Sequence, residues 1–283
     1  WSFKTVAINK KVKYLSIAVS RTRQVHISYY DTTSGTENLW YAFCDDASGN
    51  GANDASFNNS IVASSGTNAL YSNIAVDGSA AFIGWYDQTK NQTFFSYSLE
   101  AASVSGSPSW NTSPVNDVDE GGSRLSMVLN IIGNNSPFNI YQGFLSYERD
   151  ESDLYYSFNP NVITNTWDIS GNIGEDVGPT HISIGISTRN PTDNDPRVYI
   201  AYLSDHYTMM TPLFKFLYTD NSLVPDFGTA FTFGSGPLGG GNHCSLATDN
   251  RNVFVAHAQW VTLPGLYLEW WKVPVLKTIQ AGY

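Results

Sequence analysis

Val25-His26-Ile27-Ser28-Tyr29-Tyr30-Asp31, a polar turn, then Leu39-Trp40-Tyr41-Ala42-Phe43: this pairing of a short strand with an aromatic-rich one decides the fold, because it returns four times. It recurs as Phe82-Ile83-Gly84-Trp85-Tyr86-Asp87 with Phe94-Phe95-Ser96-Tyr97, and as Phe144-Leu145-Ser146-Tyr147-Glu148 with Leu154-Tyr155-Tyr156-Ser157-Phe158. The fourth copy is Tyr199-Ile200-Ala201-Tyr202 with Phe214-Lys215-Phe216-Leu217-Tyr218, and the fifth Phe254-Val255-Ala256-His257 with Leu266-Tyr267-Leu268-Glu269-Trp270. Measured at Tyr29, Trp85, Tyr147, Tyr202 and His257, the spacings are 56, 62, 55 and 55 residues. The residues after His257 together with those up to Tyr29 make a further period of 55. A circular array needs that completion and a linear solenoid does not.

Working outward, each copy is preceded by a small-and-apolar run of the kind that is buried on both faces. These runs are Leu15–Val19, Ser72–Val76, Leu125–Leu129, Ile182–Ile186 and Cys244–Thr248. A weaker segment follows, opened by Trp110, by Trp167 and, in the last copy, by the chain's own Trp1–Ala7. Four strands per period predict an all-β, five-bladed β-propeller of four-stranded blades, a single domain over 1–283, with the N-terminal strand closing the last blade. Most of the repeated aromatics are expected to pack between blades.

Composition narrows the class. Charged residues make up 14% of the 283, against about 25% in an average domain, so Ser, Thr, Asn and Gly must solvate the surface. A net charge of −10 argues against nucleic acid as a partner, and no apolar window is long enough to insert in a membrane. The chain opens at Trp1 with no Met and no leader, which reads as a mature or trimmed chain. Sequons at Asn58, Asn91, Asn111 and Asn134 point to a glycosylated, extracellular protein. Cys44 and Cys244 fall at opposite ends of their strands and are expected as two unpaired thiols.

The stretches His26–Asp31 and Ser72–Asp77 resemble repeats of secreted microbial and fungal propellers of the sialidase-like and lectin types, including tachylectin-like and fucose-lectin-like proteins. That resemblance implies an extracellular protein associated with sugars. The Asp-box of sialidases, Ser-x-Asp-x-Gly-x-x-Trp, is absent from the sequence, as are the repeated arginine and acidic pairs of fucose lectins.

In a four-stranded blade, the starts of the inner strands ring the axial opening on one face. Aligning the copies puts Tyr14, Tyr71, Arg124, His181 and His243 there. They are the candidate ligand-binding residues, with plugging of the opening as the structural alternative. The turns after the second strands bring Asp31, Asp87, Arg149, Ser204 and Gln259 to the same face, with Glu148, Asp150 and Asp205 adjacent. Asp31, Asp87 and Gln259 join the candidate set, although aspartates at such turns also cap their own backbone. Carboxylates beside aromatic rings suit a pyranose, which shows C–H faces and a hydroxyl edge.

The reading favoured by the sequence is therefore a carbohydrate-binding, lectin-like propeller without catalysis. One alternative is a glycoside hydrolase using loop carboxylates (Asp31, Asp87, Glu120, Glu175, Asp176), since no inner strand starts with Asp or Glu and Asp77 and Asp249 end theirs on the opposite face. Another is a structural subunit that self-associates as a homo-oligomer. The scattered histidines, the Asp117–Gly122 loop and the Gly239–Gly241 run give no metal or phosphate signature, so neither metal nor cofactor is expected.

Overall fold

The computed structural model describes residues 5–6, 9–33, 37–45, 57–64, 68–102, 107–115, 122–133, 139–149, 153–164, 167, 169–173, 178–187, 197–205, 213–219, 227, 231–233, 244–248, 252–259 and 265–272. Within them every regular element is a β-strand, and within each sheet every strand pairs antiparallel with the next in sequence. The first sheet is β1 (Val12–Val19), β2 (Val25–Asp31), β3 (Asn38–Cys44) and β4 (Asn58–Ala63). The second is β5 (Ala69–Asp77), β6 (Ala80–Asp87), β7 (Gln92–Ser98) and β8 (Asn111–Pro114). The third holds β9 (Ser123–Ile132), β10 (Ile140–Arg149), β11 (Asp153–Asn159) and β12 (Ile169–Asn172). The fourth holds β13 (Gly178–Ser187), β14 (Arg197–Asp205), β15 (Leu213–Thr219) and β16 (Phe231–Phe233). The last, among the described residues, is three-stranded: β17 (Cys244–Thr248), β18 (Asn252–Gln259) and β19 (Gly265–Lys272).

The aromatics do what an aromatic on a two-faced strand must do: they fill the space between sheets. Tyr30, Leu39, Tyr41 and Phe43 of the first sheet meet Ile74, Ile83, Trp85 and Phe94 of the second. Phe82, Phe95 and Tyr97 meet Met127, Tyr141 and Leu145 of the third. Phe144, Tyr156 and Phe158 meet Ile184, Val198 and Ile200 of the fourth. Each such ring removes an area from water that contributes roughly 1.5–3 kcal/mol.

The inner strands stack in sequence, β1 on β5, β5 on β9, β9 on β13 and β13 on β17. One hydrogen bond repeats at every step. The Ile74 N–H donates to Ser16 Oγ (3.2 Å), the Met127 N–H to Asn73 Oδ1 (3.3 Å), the Ile184 N–H to Ser126 Oγ (3.2 Å) and the Leu246 N–H to Ser183 Oγ (2.9 Å). An inner strand presents an open edge of N–H groups, and the neighbouring sheet's small polar side chain satisfies it.

The expected N-terminal fourth strand of the last sheet, Trp1–Ala7, lies mostly outside the described residues, and Thr5 and Val6, which are described, belong to no strand. Val6, which is described, accepts at its carbonyl from Asn59 Nδ2 of β4 (3.2 Å). Cys44 and Cys244 are both free thiols, as the strand order implies. No helix of the described residues is long and apolar enough to cross a membrane, and no group of three His, Cys, Asp or Glu among them could hold a metal ion.

Candidate functional site

The pairing between first and second strands breaks register at one point in four sheets: between Lys13 and Ser16, Leu70 and Asn73, Ser123 and Ser126, and Pro179 and Ile182. The residues at these breaks are the rim positions that alignment of the repeats singles out. Tyr14, Tyr71 and Arg124 have φ of 51°, 53° and 51°, a left-handed conformation that costs a non-glycine residue about 1–2 kcal/mol. A bulge of this kind swings a side chain out of the alternating pattern of its strand. Three successive sheets keep the strained turn and put a large side chain on it.

The side chains so aimed converge. The rings of Tyr14 and Tyr71 lie 4.7 Å apart at 52°. Arg124 hydrogen-bonds with the Tyr71 hydroxyl, and its Nη1 donates to both carboxylate oxygens of Glu148, at 2.9 and 3.1 Å. Burial, first, and then the neighbouring Tyr14 hydroxyl push the Tyr71 phenol above its usual range, while the Arg124 charge pulls the other way. Glu148 is buried and Arg124 only partly so, which makes the arginine the exposed end of the pair.

Local side chains hold the bulges. Ser72 Oγ donates to the Tyr14 carbonyl (2.8 Å) and lies 3.0 Å from Ser28 Oγ. Cys244 stands at the equivalent place three sheets on, its thiol donating to the carbonyls of His181 and Ala201 (3.7 Å each). Burial raises that thiol to about 12, so it packs and hydrogen-bonds without being a nucleophile.

The other expected site residues fare differently. Asp31 and Asp87, expected as ligand-binding groups, are 1% and 0% exposed. Asp31 accepts from the Thr33 N–H (3.0 Å), the Lys11 N–H (3.3 Å) and Lys10 Nζ (3.0 Å). Burial opposes its ionisation, but the bonds from Thr33 and Lys10 outweigh it and hold the carboxyl below its ordinary range. Asp87 caps its own turn through the Thr89 N–H (3.0 Å) and faces Lys90 Nζ at 3.6 Å. Both aspartates cap their own turns, Asp31 also binding Lys10 and Lys11, while Asp87 Oδ2 is buried with no hydrogen-bond partner.

His181 is half-buried beside the fourth break. Gln259 ends β18 opposite Gly265. His243 lies outside the described residues. The residue the sequence-derived set left out is Glu148. Its signal was a break in the repeat, a carboxylate where the first two copies carry Tyr30 and Tyr86.

Of the sequons, Asn58 and Asn111 are exposed at the starts of β4 and β8. Asn91 sits in the turn between β6 and β7, its Oδ1 accepting from the Tyr86 hydroxyl (2.7 Å). Asn134 lies outside the described residues.

No protein-family model matches the sequence, and no curated protein sequence matches it. Solved structures do match the fold. The NanB sialidase from Streptococcus pneumoniae aligns with a TM-score of 0.56 at 7% identity, over 95% of this chain and 57% of that one. A variant of the same sialidase aligns at 0.50 and 11% identity, over 83% and 36%. A GH62 hydrolase in complex with xylotriose aligns at 0.48 and 9%, over 92% and 90%. The chain thus spans little more than half of the NanB structure. At these identities the likeness is one of fold, of the sialidase-like propeller type. The expectation of a lectin without catalysis, and the leaning against an enzyme, are corrected here. The NanB structures, matched at TM-scores of 0.56 and 0.50, are of an enzyme, and the register breaks bring an ion-paired carboxylate beside two tyrosines.

Proposed function

We propose that the chain is a glycoside hydrolase, acting at the mouth formed by Tyr14, Tyr71, Arg124 and Glu148, in a single five-bladed ring over residues 1–283. The observation that carries the reading is the alignment of three strained bulges, which costs stability and brings these groups together. A fold has no need of such strain for packing alone, and conformational strain concentrates where a site uses it.

The roles follow from chemistry. The tilted Tyr14 and Tyr71 rings offer an aromatic face to a pyranose. Glu148, kept in an ion pair, suits a base or a stabiliser of positive charge at the anomeric carbon; it is poorly suited to donating a proton. Arg124 sets the orientation of that carboxylate and of the Tyr71 hydroxyl together. Hydrolysis by paired carboxyls needs a second one roughly 5–9.5 Å away; the sequence offers Glu120, Glu175 and Asp176 as candidates, which lie outside the described residues. The burial of Asp31 and Asp87 and their turn bonds weigh against either in that role. The substrate class is carbohydrate, and the sequons and low surface charge support an extracellular, glycosylated setting.

The test is turnover of a panel of aryl glycosides and oligosaccharides by the purified chain. Glu148→Gln is expected to lower kcat by roughly 100-fold or more with an unchanged circular dichroism spectrum, and Tyr14→Ala to act mainly on KM. Cleavage by Glu148→Gln at the parent rate, or no cleavage of any glycoside by the parent, overturns the reading.

A further inference from the structure

Tyr71 and Arg124 are fixed at the mouth through their side chains, by the bonds that join Arg124 to the Tyr71 hydroxyl and to Glu148. Tyr14 meets Tyr71 by ring contact, so its direction depends on its backbone, which is bent left-handed at a φ of 51°. That backbone is gripped from the next sheet. Ser72 commits its single hydroxyl proton to the Tyr14 carbonyl (2.8 Å), and the Ser28 hydroxyl, 3.0 Å away, then donates to Ser72. The relay is shielded from water, Ser72 being 7% and Ser28 0% exposed. A strained conformation persists where its surroundings over-determine it, and hydrogen bonds in series strengthen one another.

The repeat shows that stacking of the sheets does not require this grip. The residues that follow the five rim positions are Leu15, Ser72, Leu125, Ile182 and Cys244. Leu125 and Ile182 have no side-chain proton to give. Leu125 fills its place by packing, its Cδ1 3.3 Å from where a Cβ on Gly84 would stand. Cys244 repeats the Ser72 contact with a thiol, on the carbonyl of the rim residue His181 and on that of Ala201, the counterpart of Ser28 in the repeat.

We propose that Ser72 is a positioning residue of the mouth: joined by its peptide bond to Tyr71 and by its hydroxyl to Tyr14, it sets the two rings at the 4.7 Å and 52° at which they receive a sugar face. The inference rests on the reading of the mouth as a glycoside-cleaving site. It makes Ser72 a determinant of substrate affinity that acts through Tyr14, while Glu148 and Arg124 keep their ion pair without it. Cys244 shows that a thiol makes the same contact at the same place in the repeat, so Ser72→Cys is the conservative replacement.

Kinetics on the full chain and ring contacts seen by NMR test this together. Ser72→Ala is expected to raise KM for a cleaved glycoside by about five- to tenfold, with kcat within about threefold of the parent. Ser72→Cys should keep KM within about twofold of the parent. The double variant Ser72→Ala/Tyr14→Ala should be no worse than Tyr14→Ala alone, since the serine acts through that ring. In tyrosine-labelled protein without glycoside, nuclear Overhauser contacts between the Tyr14 and Tyr71 rings should weaken in Ser72→Ala and persist in Ser72→Cys. A folded Ser72→Ala with the parental KM, additive losses in the double variant, or ring contacts unaltered by Ser72→Ala overturns the proposal. Where Ser72→Ala does not fold, Ser28→Ala, which removes the bond behind it, is read in the same way. A rise in KM of about two- to fourfold is then expected, and a parental value overturns the proposal. A parent that cleaves no glycoside ends the hydrolase reading, while the ring contacts still decide whether Ser72 positions Tyr14.

Discussion

His26 shows how burial sets the chemistry of a single side chain. It is fully buried in β2 between Tyr41 and Phe43, its Nδ1 2.7 Å from the Tyr41 hydroxyl, and desolvation lowers its pKa from 6.5 to about 4. The folded state therefore refuses a proton that the unfolded chain takes up below 6.5. Stability attributable to this residue is complete above pH 6.5 and declines as pH falls toward 4, by about 3 kcal/mol in all. Urea midpoints of the parent and of His26→Gln, compared at pH 7.5, 5.5 and 4.5, should show this loss in the parent and its absence in the variant. An equal fall in both would assign the acid sensitivity elsewhere. The carboxylates teach the complementary lesson. Asp31 and Asp87 look like site residues in the sequence because their type and position fit; their hydrogen bonds to Thr33 and Thr89 two residues on are equally local, and burial decides between the readings. Glu148 became prominent only through Arg124, 24 residues away on the paired strand of the same sheet.

At the scale of the element, the inner strands and their entries do most of the positioning. Gly122 leads into β9 with φ of 141°, and a Cβ there would fall 1.7 Å from Thr93 Oγ1 of β7. An L side chain here is strained by the positive φ and must displace the Thr93 side chain. Gly122→Ala is expected to destabilise by about 2 kcal/mol or more and to lower Tm by several degrees. Gly171 in β12 has nothing within 4 Å of its Cβ position and supplies the matched control, for which Gly171→Ala should leave Tm within about a degree. The strands themselves were legible from alternation and from apolar runs, since burial on one or both faces imprints a local pattern. The register breaks were not, because a bulge is a relation between two strands and Tyr14, Tyr71 and Arg124 share no residue type that would announce one.

At the scale of the whole molecule, the low charge content and the outer strands bear on where the chain can work. Asn58 and Asn111 stand exposed on β4 and β8, the strands furthest from the inner row, whereas Asn91 is held by Tyr86. Protein made in a secreting eukaryotic host should carry glycans at Asn58 and Asn111 and none at Asn91, read as site-resolved mass loss on endoglycosidase treatment. Full occupancy at Asn91 would mean that the Tyr86 contact does not protect that turn. The order of strands, the sheets they form, the burial of the repeated aromatics and the matching of Tyr14, Tyr71, Arg124 and His181 as one position were all determined by the sequence itself, because each follows from short-range periodicity repeated along the chain. Only the tertiary structure decided that left-handed bulges gather these side chains, that two aspartates are consumed by their turns, and that Glu148 completes the cluster. The gathering of the rim side chains depends on how sheets more than 50 residues apart are set against one another, and the carboxylate contacts depend on burial and on the register between paired strands, neither of which a linear pattern of hydrophobic and polar residues encodes.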